Sequence, residues 1–438
     1  MKDQGKISFT AAVLMNINII VGSGIYANPQ FMSKNSGALG FLGWPIVAVM
    51  LLPIIWAVAQ AARVFPGEGG FYNYCKTGIN ETAGFVANWA YLLGYMGTAA
   101  TIASIIQMKI ATQCGCPFVA QHPFLFYLIF ITMISLLNLI SIEIISKIQS
   151  ITTIFKLIPL FFIVGLIFFY WNPNFNYTTS DFSTIGGSLP WAIFGYWGFE
   201  SCCSISHLIK GGSTQASKVI LVAFAICTAL YTIFHLGVLH IMGLDNLVTY
   251  GAQAFPQFMG LAPAATSALL SCISFAIMLS FVNTTYGASL GNIININGMA
   301  KRGYLFGSNF LAKTTRKGIA VNAIIIHAIA FLLLITLIPN TGILTAVTNF
   351  GVSIAFFFTL IAVARYNIQH KDHVQLLITL LGFISLIIIL YFTWTTAMGI
   401  TDNLIRLMYA TPIIIGVPLG LLMYKYLKKH PIAAIASK

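Results

Sequence analysis

Charge is scarce in this chain: only 7% of its 438 residues are Asp, Glu, Lys or Arg, and nine of them are acidic, where a soluble domain carries roughly 25% charge. That scarcity excludes an ordinary water-facing surface. Glu200 alone among the acids lies at the centre of an apolar segment, and the others sit in loops or near segment ends. Of the eight histidines, His235, His240 and His327 fall in apolar segments without metal-ligand spacing, and read as packing or hydrogen-bonding residues. The seven cysteines are scattered; Cys114 and Cys116 share a loop, but a bridge across one residue would strain normal disulfide geometry, so neither is given a role. A membrane-embedded enzyme needs a nucleophile or metal constellation, and an ion channel a ring of charges. Neither is visible, so enzyme or channel stands only as the alternative from a different class, and no cofactor or metal is expected.

What the chain has in excess is apolar length. It is 58% hydrophobic, with a mean hydropathy of +0.89, which makes it an all-α polytopic membrane protein. Taking ~17 to 25 residues as the requirement for a span, twelve segments qualify, near 8–32, 39–62, 82–108, 123–142, 148–171, 188–207, 217–243, 264–295, 318–338, 341–364, 374–394 and 403–427. The net charge of +13 raises the question of nucleic acid. Threading the spans answers it: eighteen of the 22 basic residues fall on one side, Lys34, Lys109 and Arg406 on the other, and Lys156 within a span. By the positive-inside rule both termini are cytoplasmic, the basic excess is topology, and no nucleic-acid partner is expected. The first apolar segment carries mid-span polar residues and is followed by eleven more, so it does not read as a cleavable signal.

Two spans are interrupted. The first contains Gly22-Ser23-Gly24 just after Asn16 and Asn18; Gly-Ser-Gly is a poor helix interior. It fits either a helix break or a close crossing of two helices, which small residues also permit. The sixth reads SLPWAIFGYWGFES, with Gly195 and Gly198 bracketing Tyr196 and Trp197, and Glu200 following at mid-depth. Glu200 fits either a functional acid or a buried structural one, and Phe194, Tyr196 and Trp197 either packing or pocket walls. The two interruptions lie five spans apart, the spacing of discontinuous helices in transporters built from inverted repeats. This correspondence favours breaks.

The fifth span holds Lys156, about nine residues beyond Lys147 and hence ~13 Å in at 1.5 Å per residue. A charge at that depth costs on the order of 2.5 to 3.5 kcal/mol on insertion scales. Lys156 is therefore either a proton-binding group or a structural cation bonded to the carbonyls of a broken helix. The loop FPGEGGFYNYCKTGINETAGF after span two reads as a solvated turn or a re-entrant segment. Span three carries Asn88 and small residues at Gly97 to Ala100; span eight offers Asn283, Thr284 and Thr285, and span ten Asn349, Gly351 and Ser353 as pocket donors. Spans eleven and twelve carry no site signal and would brace the core or support a homodimer.

Five motifs in order, IIVGSGIYANP, FPGEGGFYNYCKTGI, KLIP, GYWGFES and GMAKRGYLF, give the chain a resemblance along nearly its whole length to the amino acid-polyamine-organocation superfamily, in particular to its basic amino acid/polyamine antiporters. That resemblance implies twelve transmembrane helices: a 5+5 inverted repeat, residues 1–171 and 172–366, with discontinuous helices 1 and 6, then two extra helices and a tail over 367–438. It implies a secondary transporter of amino acids, amines or polyamines in a bacterial inner membrane, working by alternating access through exchange or proton coupling, with a proton symporter of a small neutral amino acid as the alternative. Carried onto this chain, the amides of Ser23, Gly24 and Ile25 would face the substrate carboxylate and the carbonyls of Gly195, Tyr196 and Gly198 its amine. Phe194 would be an aromatic gate, Lys156 a coupling cation, and Glu200 the acid that ties the unwound sixth helix to its surroundings. Trp197 is larger than the side chains relatives often carry there and would disfavour a long cationic substrate.

Overall fold

The computed structural model describes residues 8–22, 24–65, 70–112, 115–140, 157–158, 160–162, 164–166, 169–171, 175, 177, 182–200, 212–395 and 413–430. Among these residues the regular structure is helical, and six helical segments are long and apolar enough to cross a membrane. The chain is thus an integral membrane protein with several apolar helices. Its main helices are α1 (Phe9–Ile20), α2 (Gly24–Ser36), α3 (Gly43–Val64), α4 (Phe71–Gly78), α5 (Glu81–Thr112), α6 (Pro123–Leu137), α7 (Leu189–Tyr196), α8 (Gly212–Met242), α9 (Pro263–Lys301), α10 (Val321–Leu337), α11 (Thr341–Gln369), α12 (His373–Thr395) and α13 (Gly416–Lys429).

Several helices begin where a short polar side chain can take up a free backbone donor. Asn80 Oδ1 accepts from the Ala83 amide at 2.9 Å to open α5, Asn340 from Ile343 at 3.1 Å to open α11, and Asp372 from Gln375 at 3.1 Å to open α12. Each is an N-cap bond to the third helical residue. The burial pattern is that of a chain solvated by lipid. On α12 the large side chains Val374, Leu377, Ile384 and Ile387 point outward, while Thr379, Gly382, Ser385 and Thr393 are buried together with Leu386 and Ile389. Small and weakly polar residues share the inward face with large apolar ones because lipid tails are as apolar as leucine, and helix association rests on close packing instead.

The residues form two compact units that interleave along the chain. The first comprises Met1–Gly84, Thr153–Ser280 and Phe356–Ala397. Within it α3 packs against α8 and α12, α1 against α8, and α2 against α7. The loop after α3 does not end as a solvated turn: α4 buries Phe71, Tyr72, Tyr74 and Cys75. Gly78 lies so near α11 that a Cβ there would stand 2.5 Å from that of Ala362. The aromatic content of FYNYC decides this, because three aromatic side chains and a cysteine on one short helix bury more apolar surface than a turn can leave in water.

The second unit comprises Phe85–Thr152, Phe281–Ala355 and Met398–Lys438. Its centre is a glycine crossing of α5 and α11. A Cβ on Gly351 would fall 2.6 Å from both the Ala90 carbonyl oxygen and Gly94 Cα, and one on Gly97 3.0 Å from the Leu344 carbonyl oxygen. Thr98 and Thr348, at 3.4 Å, and Ser104 and Thr341, at 2.8 Å, join the same two helices through their hydroxyls. Lys109, expected on the outer side, lies in the last turn of α5 and is buried. Gly351→Val should force α5 and α11 apart and cost about 1 to 3 kcal/mol, the usual range for overpacking. A detergent melting curve checks this, and an unchanged midpoint would contradict the crossing.

Candidate functional site: two broken helices that meet at glycine

The first span is broken. Val21 makes the last α-type bond of α1, to the Ile17 carbonyl at 2.7 Å, and the Gly22 amide then turns back onto the Ile20 carbonyl at 2.8 Å, a three-residue turn that ends the helix. Helix α2 restarts at Gly24. The sixth span is broken as well. Trp197 adopts φ −57°, ψ 141° after the last residue of α7, and Gly198 has φ 115°, a left-handed conformation that side chains rarely accept. Between these breaks lies a close crossing. A Cβ on Gly24 would fall 2.8 Å from Gly195 Cα, and one on Gly195 would fall 2.7 Å from the Trp44 ring. Break and crossing, alternatives at the level of sequence, are both present.

Breaking a helix strips partners from backbone groups, and buried side chains replace them. Tyr231 Oη, on α8, lies 2.7 Å from the Ile20 carbonyl oxygen and 3.2 Å from that of Gly195, so one hydroxyl ties the ends of α1 and α7 together. Asn28 Nδ2 donates to the Trp191 carbonyl at 2.7 Å. Glu200, 3% exposed, accepts the Gly198 amide at 2.9 Å and so caps the break from within. Behind the crossing Trp44 is held by its indole N–H, which donates to His235 Nδ1 at 3.2 Å, while His235 Nε2 lies 2.9 Å from Ser33 Oγ. His240 also hydrogen-bonds, to the Tyr177 hydroxyl, and His327 packs against Phe331.

The structure brings Gly24, Ile25, Phe194, Gly195, Tyr196, Trp197, Gly198 and Glu200 into the first unit. Ile25 and Tyr196 are fully buried. Tyr196 donates to the Trp44 carbonyl at 3.0 Å and packs among Trp44, Phe224 and Tyr231, so its side chain supports the break from behind. Phe194 is buried too. Trp197 and Phe199 turn the other way, onto Phe356 of α11, at centroid distances of 5.5 and 5.6 Å. Phe71 closes on the same ring at 5.5 Å. Asn283 and Ser353 belong to the second unit. Ser23, Lys156, Cys114 and Glu68 lie outside the described residues.

Trp44, Tyr231, His235 and Asn28 were not among the sequence candidates. For Tyr231 and His235 a signal was present: with Thr228 they recur at three and four residues in a largely apolar span, which puts them on one helix face. Tyr231→Phe should leave two buried carbonyls without their hydroxyl and cost on the order of 1 to 3 kcal/mol. Glu200→Ala should behave alike by freeing the Gly198 amide, with Glu200→Gln milder because it keeps an acceptor. Melting midpoints of the three variants check the order.

Comparison with known proteins matches the chain's sequence to a family. The sequence profile described as amino acid permease aligns with residues 7–418. The chain is 23% identical to the serine/threonine exchanger SteT of Bacillus subtilis over 304 residues, 66% of each protein. It is 32% identical to the arginine/ornithine antiporter of Pseudomonas aeruginosa over 89 residues, 20% of this chain and 18% of that protein. It is 31% identical to the L-lysine transport protein of Corynebacterium glutamicum over 90 residues, 20% of this chain and 18% of that protein. The matches to arginine/ornithine antiporters span about a fifth of those relatives' length. With its profile match running through both helix breaks, the chain belongs to the amino acid permease family, within the amino acid-polyamine-organocation superfamily.

Proposed function

We propose that this chain is a secondary active transporter that moves amino acids or related amines across a bacterial inner membrane by alternating access, as an exchanger or coupled to protons. The observation that carries this reading is the meeting of two interrupted helices at Gly24 and Gly195. The first-turn amides of α2, at Gly24 and Ile25, have no intrahelical acceptor, and the helix dipole adds positive potential there; the Ser23 amide is assigned to the same role. They suit an α-carboxylate. The last carbonyls of α7, at Gly195 and Tyr196, and that of Gly198 suit an α-ammonium. Gly195 already receives the Tyr231 hydroxyl at 3.2 Å, but a carbonyl oxygen has two lone pairs and can accept a second donor.

In this reading the helices are the described parts of a twelve-span chain with cytoplasmic termini, its inverted repeats over 1–171 and 172–366 and two further helices over 367–438. Discontinuous helices at corresponding places in two halves are the usual site of substrate in such transporters. Lys156 takes the coupling role, Glu200 holds the sixth-span break in shape, and Phe194 gates it. A second reading, proton symport of a small neutral amino acid, is favoured by Trp197, whose buried indole fills space beside the break and closes on Phe356. The relatives' names point both ways, one to serine and threonine, others to arginine, ornithine and lysine.

In proteoliposomes, uptake of a labelled amino acid should rise with either internal substrate or an inward proton gradient. The absence of transport of any amino acid or polyamine under both regimes would contradict the proposal. Gly24→Val should abolish uptake, since its side chain would collide with Gly195. Lys156→Ala should remove the pH dependence of proton-driven uptake, and an unchanged profile would strip Lys156 of its role.

A further inference from the structure

The seam between α3 and α8 carries a second feature, set apart from the helix breaks. At one end of the seam is a recess of about 190 Å³ lined by Ile55, Trp56, Gln60, Arg63, Lys218 and Leu221 together with Ala59. Arg63 ends α3 and Lys218 lies in the first part of α8, so the antiparallel helices deliver both cations to the same end of the seam. Both side chains are exposed, and among the described residues no acidic side chain lines the recess. Gln60 cannot serve as their counterweight. Its amide is spent on Asn367, with Nε2 donating to Oδ1 at 2.6 Å and Oε1 accepting from Nδ2 at 3.3 Å.

Moving along α3 from this end, the side chains change from cationic to apolar. Trp56 is two turns from Arg63, ~10 Å at 1.5 Å per residue. Its indole donates to Gln375 Oε1 of α12 at 2.7 Å, which fixes the ring where it lines the recess. Beyond it, Leu52 and Val49 on α3 and Val222 and Ile226 on α8 are exposed. The order is therefore a pair of cations, an amphipathic aromatic at the boundary, and then an open apolar strip. Tryptophan favours the headgroup level and long basic side chains reach the same level from within a bilayer.

We propose that this groove binds an anionic glycerophospholipid, with its phosphate between Arg63 and Lys218 and its acyl chains along the α3–α8 seam. The recess, about 190 Å³, has room for a phosphate and adjoining glycerol, and the exposed strip accommodates the chains. Basic pockets between transmembrane helices take anionic headgroups in this way. The bound lipid would clamp α3, which carries Trp44, to α8, which carries Tyr231 and His235.

Native mass spectrometry of the full chain in detergent tests this with dioleoyl phosphatidylglycerol against dioleoyl phosphatidylcholine. Phosphatidylglycerol adducts should exceed phosphatidylcholine adducts by on the order of tenfold. Arg63→Gln with Lys218→Gln should bring the ratio close to one, and the charge-conserving pair Arg63→Lys with Lys218→Arg should restore it. Equal retention of the two lipids by the unaltered chain would overturn the proposal. So would complete displacement of phosphatidylglycerol by equimolar inorganic phosphate, which would mark a plain anion site, or a dimer that excludes both lipids. Should the neutral pair fail to fold, the lipid ratio and phosphate competition on the unaltered chain decide. None of these readings depends on transport, so failure of the lipid site leaves the proposed function untouched.

Discussion

A helix broken inside a membrane leaves amides and carbonyls with no water to turn to, and each such group costs several kcal/mol in an apolar medium. The first unit is arranged around that constraint. Tyr231 supplies Ile20 and Gly195, Asn28 supplies Trp191, and Glu200 supplies Gly198. In the proposed function a zwitterion takes the first-turn amides of α2 and shares the Gly195 carbonyl with the Tyr231 hydroxyl through its second lone pair. Structural support and the proposed ligand recognition thus draw on the same set of freed groups.

The supporting side chains are themselves held. An indole N–H can only donate, so His235 Nδ1 is the acceptor for Trp44, and the proton of the neutral ring sits on Nε2, facing Ser33 of α2. Trp44 in turn occupies the space that a side chain at Gly195 would need. Helices α2, α3, α7 and α8 are therefore linked through one buried chain of contacts: Ser33, His235, Trp44, Gly195. A change at Ser33 or His235 acts on the crossing without touching either break.

Much of this was legible in the sequence. The apolar periodicity of long spans, the Gly-Ser-Gly and Gly-Tyr-Trp-Gly interruptions and the lone mid-span Glu200 marked the class of fold and the two breaks. The sequence left break and crossing as rivals at Gly22 to Gly24, because small residues serve both and only a partner surface tells them apart. It also could not divide the aromatics of GYWGFE by direction: Tyr196 turns back onto Trp44, whereas Trp197 and Phe199 turn onto Phe356. That division depends on the ψ of Trp197, which depends in turn on Gly198 accepting a positive φ. Tyr231 went unread for a different reason, and His235 was read only as a packing or hydrogen-bonding residue, which its bonds to Trp44 and Ser33 bear out. A tyrosine and a histidine in an apolar helix gain meaning only from the carbonyls and the indole opposite them. The sequence leaves the segment of α4 open between a solvated turn and a re-entrant segment, because local propensity registers its glycines and proline but not the surface against which FYNYC packs.

The central claim is that the two breaks hold the α-carboxylate and α-ammonium of one substrate molecule. Its most direct test is a thermal-shift series on the purified chain, since a ligand that binds the folded state raises its apparent stability. Each amino acid is compared with its methyl ester and its deaminated acid. The account predicts stabilisation by at least one free amino acid and loss of that shift on masking either α-group. Equal stabilisation by the ester and the deaminated acid would mean that the amides at Gly24 and the carbonyls at Gly195 hold neither group, and would contradict it.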